Sequence, residues 1–242
     1  TSGSVDFPTT ANSYDNTFNS GPPLAGNGIG INYNNGCDIV VSKFSEDGSQ
    51  LLSSTFLGGS DNDGFNNSAV LRYNYADQIR GEIDIDQEGN CYIASSTYSN
   101  DFPIVGGAIQ ANNNGAQEGV IVKLDNDLTS SEWSWYWGGS SDDAIYSLSF
   151  NENEIYVSGG TTSTDFQTFN NSYAQNFIGG PSDAFISRFA KDGSSIISST
   201  YYGSDQYDQA YFIELDNEDD VYICLLYTSD AADDTPCVDL GG

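Results

Sequence analysis

Residues Asp183–Ser204 read DAFISRFAKDGSSIISSTYYGS. An acidic residue opens a largely apolar run, Ala184-Phe185-Ile186, that ends in Arg188-Phe189. Lys191-Asp192-Gly193 follows, and then a β-branched and aromatic run stops at Tyr202-Gly203-Ser204. Two strand-like runs around an Asp-Gly turn are the signature of a β-hairpin, because Gly accepts the positive φ that a tight turn requires.

The same pattern recurs upstream. Asp38-Ile-Val-Val-Ser-Lys43-Phe44 and Glu118-Gly-Val-Ile-Val-Lys123-Leu124 match the first run. Ser54-Thr-Phe-Leu-Gly58-Gly59-Ser60 and Ser134-Trp-Tyr-Trp-Gly138-Gly139-Ser140 match the second. A third pattern of x-Tyr-φ appears at Cys91-Tyr92-Ile93, Ile155-Tyr156-Val157 and Val221-Tyr222-Ile223. It leads into Asp101-Phe102-Pro103 and Asp165-Phe166, and Asp6-Phe7-Pro8 opens the chain. Lys123 to Arg188 spans 65 residues, Tyr92 to Tyr156 spans 64 and Tyr156 to Tyr222 spans 66. Lys43 to Lys123 spans 80, so about 15 extra residues lie near Asn66–Arg80, and a Gly/Asn-rich insert lies between Phe18 and Gly36. Both inserts fall between core patterns, where loops tolerate them.

A repeat of this period decides architecture before any single motif does. Each unit reads as four strands: DIVVSKF, LLSSTFLGG, GEIDID and CYIASS in the first. No stretch shows helical periodicity. Tandem four-stranded antiparallel units predict an all-β partial β-propeller, about three blades in an open arc. The boundaries expected are 1–37 (tail of a preceding blade plus a loop), 38–100 (first blade with insert), 101–164 (second) and 165–223 (third, cut inside its last strand).

These motifs resemble the bacterial β-propeller repeat family known as SBBP, whose repeats look like D-A-F-V-A-K-L, D-G, Y-S-T-Y-L-G-G-S, D-x-x-G-N-x-Y-V-T-G and T-D-F-P. Residues 183–204 and 86–103 carry the resemblance best, and it extends over nearly all of 1–223. The chain departs from it in its two inserts, its Trp-rich second unit and its short third one. The resemblance implies a secreted or cell-surface bacterial protein and is not tied to one activity.

Residues 224–242, CLLYTSDAADDTPCVDLGG, read as translated sequencing adapter. CLLYTS corresponds to TGT CTC TTA TAC ACA TCT, the DAAD run continues it, and CVDLGG fits a flow-cell primer across an eight-base index. Set aside, this tail removes Cys224, Cys237 and four acidic residues. What remains has a charge near −25 and two thiols, Cys37 and Cys91, expected to be free and buried, and it is expected to be a segment of a longer chain.

Composition excludes several chemistries. The chain has 6 Lys+Arg, 35 Asp+Glu and no His, so it offers no imidazole base or ligand and no surface for polyanions. Nucleic acid is excluded as a partner, and no apolar run is long enough for membrane insertion as a helix. The partners expected are an extracellular glycan or protein and the remaining propeller blades of the full-length chain.

Three groups are candidate sites. Asp84, Asp86 and Glu88, ahead of Gly89-Asn90, resemble the start of a calcium loop, calcium being the one cofactor suggested; an Asx hairpin turn is the alternative. Asp61 and Asp63, Asp142 and Asp143, and Asp205 and Asp208 follow the three Gly-rich turns and predict an acidic rim for cations or basic partners, or simply turn-capping residues. Trp133, Trp135 and Trp137 share one strand face and suit either sugar stacking or packing between sheets. The function expected is a non-enzymatic binding or scaffold module acting through loops, in adhesion or glycan binding. The alternative is a polysaccharide hydrolase or lyase using paired carboxylates, for which no pair stands out.

Overall fold

The computed structural model describes residues 1–25, 32–73 and 77–227. The protein is all-β. Its strands are β1 (Leu24–Ala25), β2 (Asn32–Tyr33), β3 (Ile39–Phe44), β4 (Leu51–Leu57), β5 (Glu82–Ile85), β6 (Cys91–Thr97), β7 (Glu118–Leu124), β8 (Ser131–Trp137), β9 (Asp143–Phe150), β10 (Glu154–Thr161), β11 (Asp183–Ala190), β12 (Ile196–Tyr202), β13 (Asp208–Leu215) and β14 (Val221–Tyr227). One 3-10 turn, Asp77–Ile79, is the sole helical element among the described residues. The adapter-like tail contributes its first four residues to β14; residues 228–242 lie outside the described residues.

Two four-stranded antiparallel meanders, β5-β6-β7-β8 and β9-β10-β11-β12, stand between two hairpins, β3-β4 and β13-β14. Strands fall where the sequence predicts them, but their grouping differs. The first repeat's four runs do not share a sheet: β3 and β4 pair only with each other, while β5 and β6 join β7 and β8 of the next repeat. A sequence repeat has a period but no phase. Here the five-residue link 138–142 crosses between sheets, whereas the twenty-residue link 98–117 returns to the same sheet. Ser2 pairs with Asp38 as Thr97 pairs with Glu118 and Thr161 with Asp183, so the chain's first residues hold the place of a preceding strand end.

The long links have a second task. In 98–117, the Val105 and Gln110 carbonyls accept backbone hydrogen bonds from Ser134 and Tyr136 of the edge strand β8 (Ser134 N to Val105 O 3.1 Å, Tyr136 N to Gln110 O 3.0 Å). Ala174 does the same for Tyr201 of β12, and Asp15 for Phe56 of β4. Each loop covers an edge that would otherwise offer unpaired donors and acceptors to another chain.

Both faces of β6, β7 and β8 are largely buried, whereas β5 is mostly exposed. Val120, Val122, Leu124 and Tyr136 pack with Ile39, Val41 and Leu57 of the β3-β4 hairpin. Ile121, Trp133, Trp135 and Trp137 face the sheet β9–β12, meeting Ile145, Leu148, Phe185 and Phe189. This two-sided burial is why β7 is covered along nearly its whole length and does not alternate between apolar and polar residues. On the other side of the molecule β9 packs against both β5 and β13.

The hairpin turns show a substitution with a cost. Gly48 (φ 70°) and Gly193 (φ 76°) close the β3-β4 and β11-β12 turns, but Leu128 (φ 57°) stands at the same place between β7 and β8. The left-handed conformation costs a bulky residue about 1–2 kcal/mol. Leu128 is 3% exposed within the cluster shared with Phe102 and Leu124, and burying it contributes about 1.5–3 kcal/mol, so packing wins over strain.

The insert near Asn66–Arg80 is not the surface loop that its position suggests. Asn66, Ser68, Leu71, Asp77 and Gln78 are buried. The Leu71 carbonyl accepts hydrogen bonds from Asn66 Nδ2 (3.1 Å), Tyr146 Oη (3.2 Å) and Gln209 Nε2 (3.2 Å), and the Arg80 guanidinium lies over Tyr211 and Phe212. The insert thus fastens β9 to β13.

Candidate functional site

The Gly-rich turn after each second strand is the most elaborate repeated structure in the molecule. At the first, Asp38 at the head of β3 and Asp63 beyond the turn both reach Gly58: a methyl group there would meet the Asp63 Oδ2 at 2.6 Å and the Asp38 Oδ1 at 3.1 Å. At the second, Glu118 and Asp143 converge on Gly138 in the same way. At the third, Asp208 lies against Gly203, and Asp183 heads β11. Asp38, Glu118 and Asp183 are each followed 25 residues later by Asp63, Asp143 and Asp208. All six are buried.

The turn's own backbone holds the second member of each pair. Gly59 N donates to Asp63 Oδ2 (2.8 Å), Gly139 N to Asp143 Oδ2 (2.8 Å) and Ser204 N to Asp208 Oδ2 (2.6 Å). The neighbouring sheet adds hydroxyls: Ser99 Oγ (3.0 Å) and Thr97 Oγ1 to Asp63, and Ser163 Oγ (2.8 Å) to Asp143. The first member is held by a preceding loop, Asn19 N to Asp38 Oδ2 (2.7 Å), Asn114 N to Glu118 Oε2 (2.7 Å) and Ile178 N to Asp183 Oδ2 (2.5 Å). Each of these three acids leaves its other oxygen without a hydrogen-bond partner, and so does Asp143 with its Oδ1.

Burial dominates the titration of these groups. It pushes Asp63 and Glu118 up to about 7, Asp143 to about 8, and Asp38 and Asp183 to about 6, against the downward pull of the donors; the neighbouring acids add to the rise. Shielded from solvent, these carboxyls cannot reach a polysaccharide, so the arrangement joins adjacent sheets and is not a hydrolytic pair.

The Asp-Phe motif completes the turn. Asp101 Oδ1 accepts from Ser60 N (2.8 Å) and Asp165 Oδ1 from Ser140 N (2.9 Å), and these bonds hold both acids below the usual carboxylate range. A strand tyrosine ties down the loop that follows. Tyr136 Oη donates to Ser99 O (2.8 Å) and accepts from Phe102 N (3.0 Å); Tyr201 Oη does the same with Ser163 O (2.8 Å) and Phe166 N (3.0 Å). Removing such a hydroxyl strands two buried backbone groups. Tyr201→Phe is expected to cost about 1–3 kcal/mol in urea denaturation, and Tyr202→Phe, on the strand's exposed side, almost nothing. Equal costs would show that the bridge adds no stability.

The predicted acidic rim therefore divides. Asp63, Asp143 and Asp208 are interior residues and cannot belong to a surface, because the adjacent sheet closes over them. Asp205 is exposed and Asp61 and Asp142 are half-buried, the latter two next to the backbone that Asp101 and Asp165 bind. Asp61 and Asp142 both act on the half-buried Tyr98, whose hydroxyl pKa is raised by desolvation and by the two acids. The constant spacing of 25 residues was the signal in the sequence for the buried pairs; the alternation of depth within each Asp pair had none.

Trp133, Trp135 and Trp137 are 5%, 0% and 1% exposed. Trp133 stacks on Trp135 (4.2 Å between centroids), Trp137 meets Phe166 and Phe189 edge-on, and Trp137 Nε1 donates to Ser187 Oγ (2.9 Å) on the facing sheet. Sugar stacking is ruled out because the facing sheet occupies the ring faces.

Asp84, Asp86 and Glu88 do not converge, and among the described residues no three acidic or thiol side chains are grouped to hold a metal. Asp86 spends both oxygens on its own hairpin: Oδ1 accepts from Glu88 N (3.1 Å) and Asn90 N (2.8 Å), Oδ2 from Asn90 Nδ2 (3.0 Å) and Tyr92 Oη (3.2 Å). Asn151 and Asp216 build the same Asx turn in the next two repeats. Cys37 and Cys91 are free buried thiols, which burial pushes up to about 11 and about 12. No protein-family model matches the chain, and no curated protein matches it.

Proposed function

We propose that the chain is an arc of a β-propeller of the SBBP repeat type. In this reading it is a non-enzymatic binding and scaffold module of a secreted or cell-surface bacterial protein. Successive four-stranded meanders stacked face to face, with β5, β9 and β13 side by side, support the arc. The hairpins β3-β4 and β13-β14 are two halves of such a sheet, and further blades of a longer chain would pair along their open edges.

One observation carries the binding reading. The same turn recurs in three successive sheets, its buried half closed to substrate and its outer half presenting Asp61 with Asp101 at the first, Asp142 with Asp165 at the second and the exposed Asp205 at the third. Such a line of carboxylates suits a basic protein surface, and with the tryptophans buried it is favoured over a glycan.

The test is the binding of the full chain to immobilised poly-lysine as salt is raised. The variant Asp61→Asn/Asp142→Asn/Asp205→Asn should bind about three- to tenfold more weakly at low salt and with a shallower salt dependence. A control carrying Glu46→Gln/Glu152→Gln/Glu218→Gln, exposed acids at the opposite turns, loses the same charge. Equal losses in the two would reject the rim as the binding face, and selective capture on a glycan array would replace it with a sugar ligand.

A further inference from the structure

We propose that each recurring acid pair, Asp38–Asp63, Glu118–Asp143 and Asp183–Asp208, is a built-in site for one proton, and that this proton couples the packing of adjacent sheets to pH. The geometry sets the requirement. At Gly58 and Gly138 two carboxyls meet at one glycine in the dry interior, where two negative charges cannot both persist; at the third turn Asp208 lies against Gly203, and its charge acts on the buried Asp183. Among the described residues no lysine or arginine forms an ion pair with any of the six.

The donors around each pair are N–H and O–H groups, which suit a carboxylate and repel a metal cation. The unpartnered oxygens of Asp38, Glu118 and Asp183 are where the missing partner shows. An ionised oxygen there would be buried with nothing to bond, whereas a protonated one becomes an O–H donor toward the other carboxyl. An orphan falls on the first member in all three repeats, and in the middle pair Asp143 Oδ1 is unpartnered as well, so that both acids there lack a donor on one oxygen.

The titratable groups facing the pairs strengthen the effect. Asp165, Tyr136 and Tyr201 face Glu118–Asp143, and Asp15, Cys37 and Tyr136 face Asp38–Asp63, with Asp101 acting on the same Tyr136. The amino group of Thr1 neighbours Cys37, and Tyr201 also faces Asp183. The sign follows from the raised carboxyls. Above pH ~4 the folded chain holds protons that the unfolded chain has released, so the stability contribution is full only below pH ~4. It is lost progressively as pH rises from there, and the loss is complete once pH has passed through about 6 to 8, the range of the raised groups. Most proteins lose stability in the opposite direction.

The experiment uses the full chain and begins without a variant. Infrared spectra at pH 7 should contain the carbonyl band of a protonated carboxylic acid, and it should vanish toward pH ~9. The melting temperature should be higher at pH 5 than at pH 8 by at least about 5 °C. Unfolding at pH 6 in buffers of different ionisation heat should release about three protons, one per pair. Glu118→Gln, whose amide donates in place of the acid, should remove about a third of the band and flatten the pH dependence. Absence of the band at pH 7 overturns the proposal. So does a melting temperature at pH 7 that rises with calcium and falls with chelator, since a metal would then hold the place of the proton. A pH dependence that Glu118→Gln leaves unchanged overturns it as well.

Discussion

Trp135→Ala is expected to lower the unfolding free energy by about 3–5 kcal/mol, a large share of the roughly 5–15 kcal/mol that holds a typical domain folded. Trp135 has no solvent exposure, stacks on Trp133 and meets Phe189 of the facing sheet at 5.6 Å. Gly193 lies on the same pair of rings, so close that a methyl group there would meet Trp135 at 2.9 Å. A backbone turn and two sheets bound the site, which leaves little able to collapse into the space. The cost is therefore the lost transfer of the indole plus a residual cavity. Urea denaturation by circular dichroism measures it, with Tyr173→Ala, 80% exposed, expected to stay within about 0.5 kcal/mol of the parent. A loss below about 1 kcal/mol would mean that the two sheets are not close-packed at this point.

The second large effect is predicted for Gly138→Ala. The new methyl group would collide with Glu118 Oε1 and come within 2.6 Å of Asp143 Oδ2, two buried acids anchored by the turn. Neither can swing away without giving up the donors from Asn114, Gly115 or Gly139. Overpacking and the loss of hydrogen bonds to a buried acid together should cost about 3 kcal/mol. Gly107→Ala, where nothing lies within 4 Å, is the matched control and should be close to neutral. Equal midpoints for the two variants would refute the view that glycine at this turn makes room for the acid pair.

The buried pairs also change what the acidic composition means. A charge of −29 from 35 acidic residues describes a fully ionised chain. If each pair keeps a proton near neutral pH, part of that formal charge is absent in the folded state, and the field that a basic partner meets comes from Asp61, Asp142, Asp205 and the capping acids.

Much of the fold was legible because it is local. Apolar and aromatic runs such as Ile39–Phe44 and Ile196–Tyr202 became strands, and the Asp-Gly turns at 47–48 and 192–193 became hairpins, since neighbouring residues decide both. The turn at Asp86 was legible on the same ground, and its resemblance to a calcium loop arose because one alternation of acids serves either purpose. The Trp run was legible as one strand face but not as an interior one, because period two says which residues lie together and not what covers them.

By itself, the sequence determined the strands, the hairpins and a period near 65 residues, all set by backbone conformation over a few residues. The tertiary structure alone decided which strands share a sheet, since that depends on where the links 98–117 and 138–142 lead. It alone drove one aspartate of each rim pair inside, by closing a neighbouring sheet over it. It alone turned the insert after Asn66 from a tolerated loop into a buried clasp between β9 and β13. Burial is a property of packed surfaces, and those surfaces exist only once residues far apart in the chain have met.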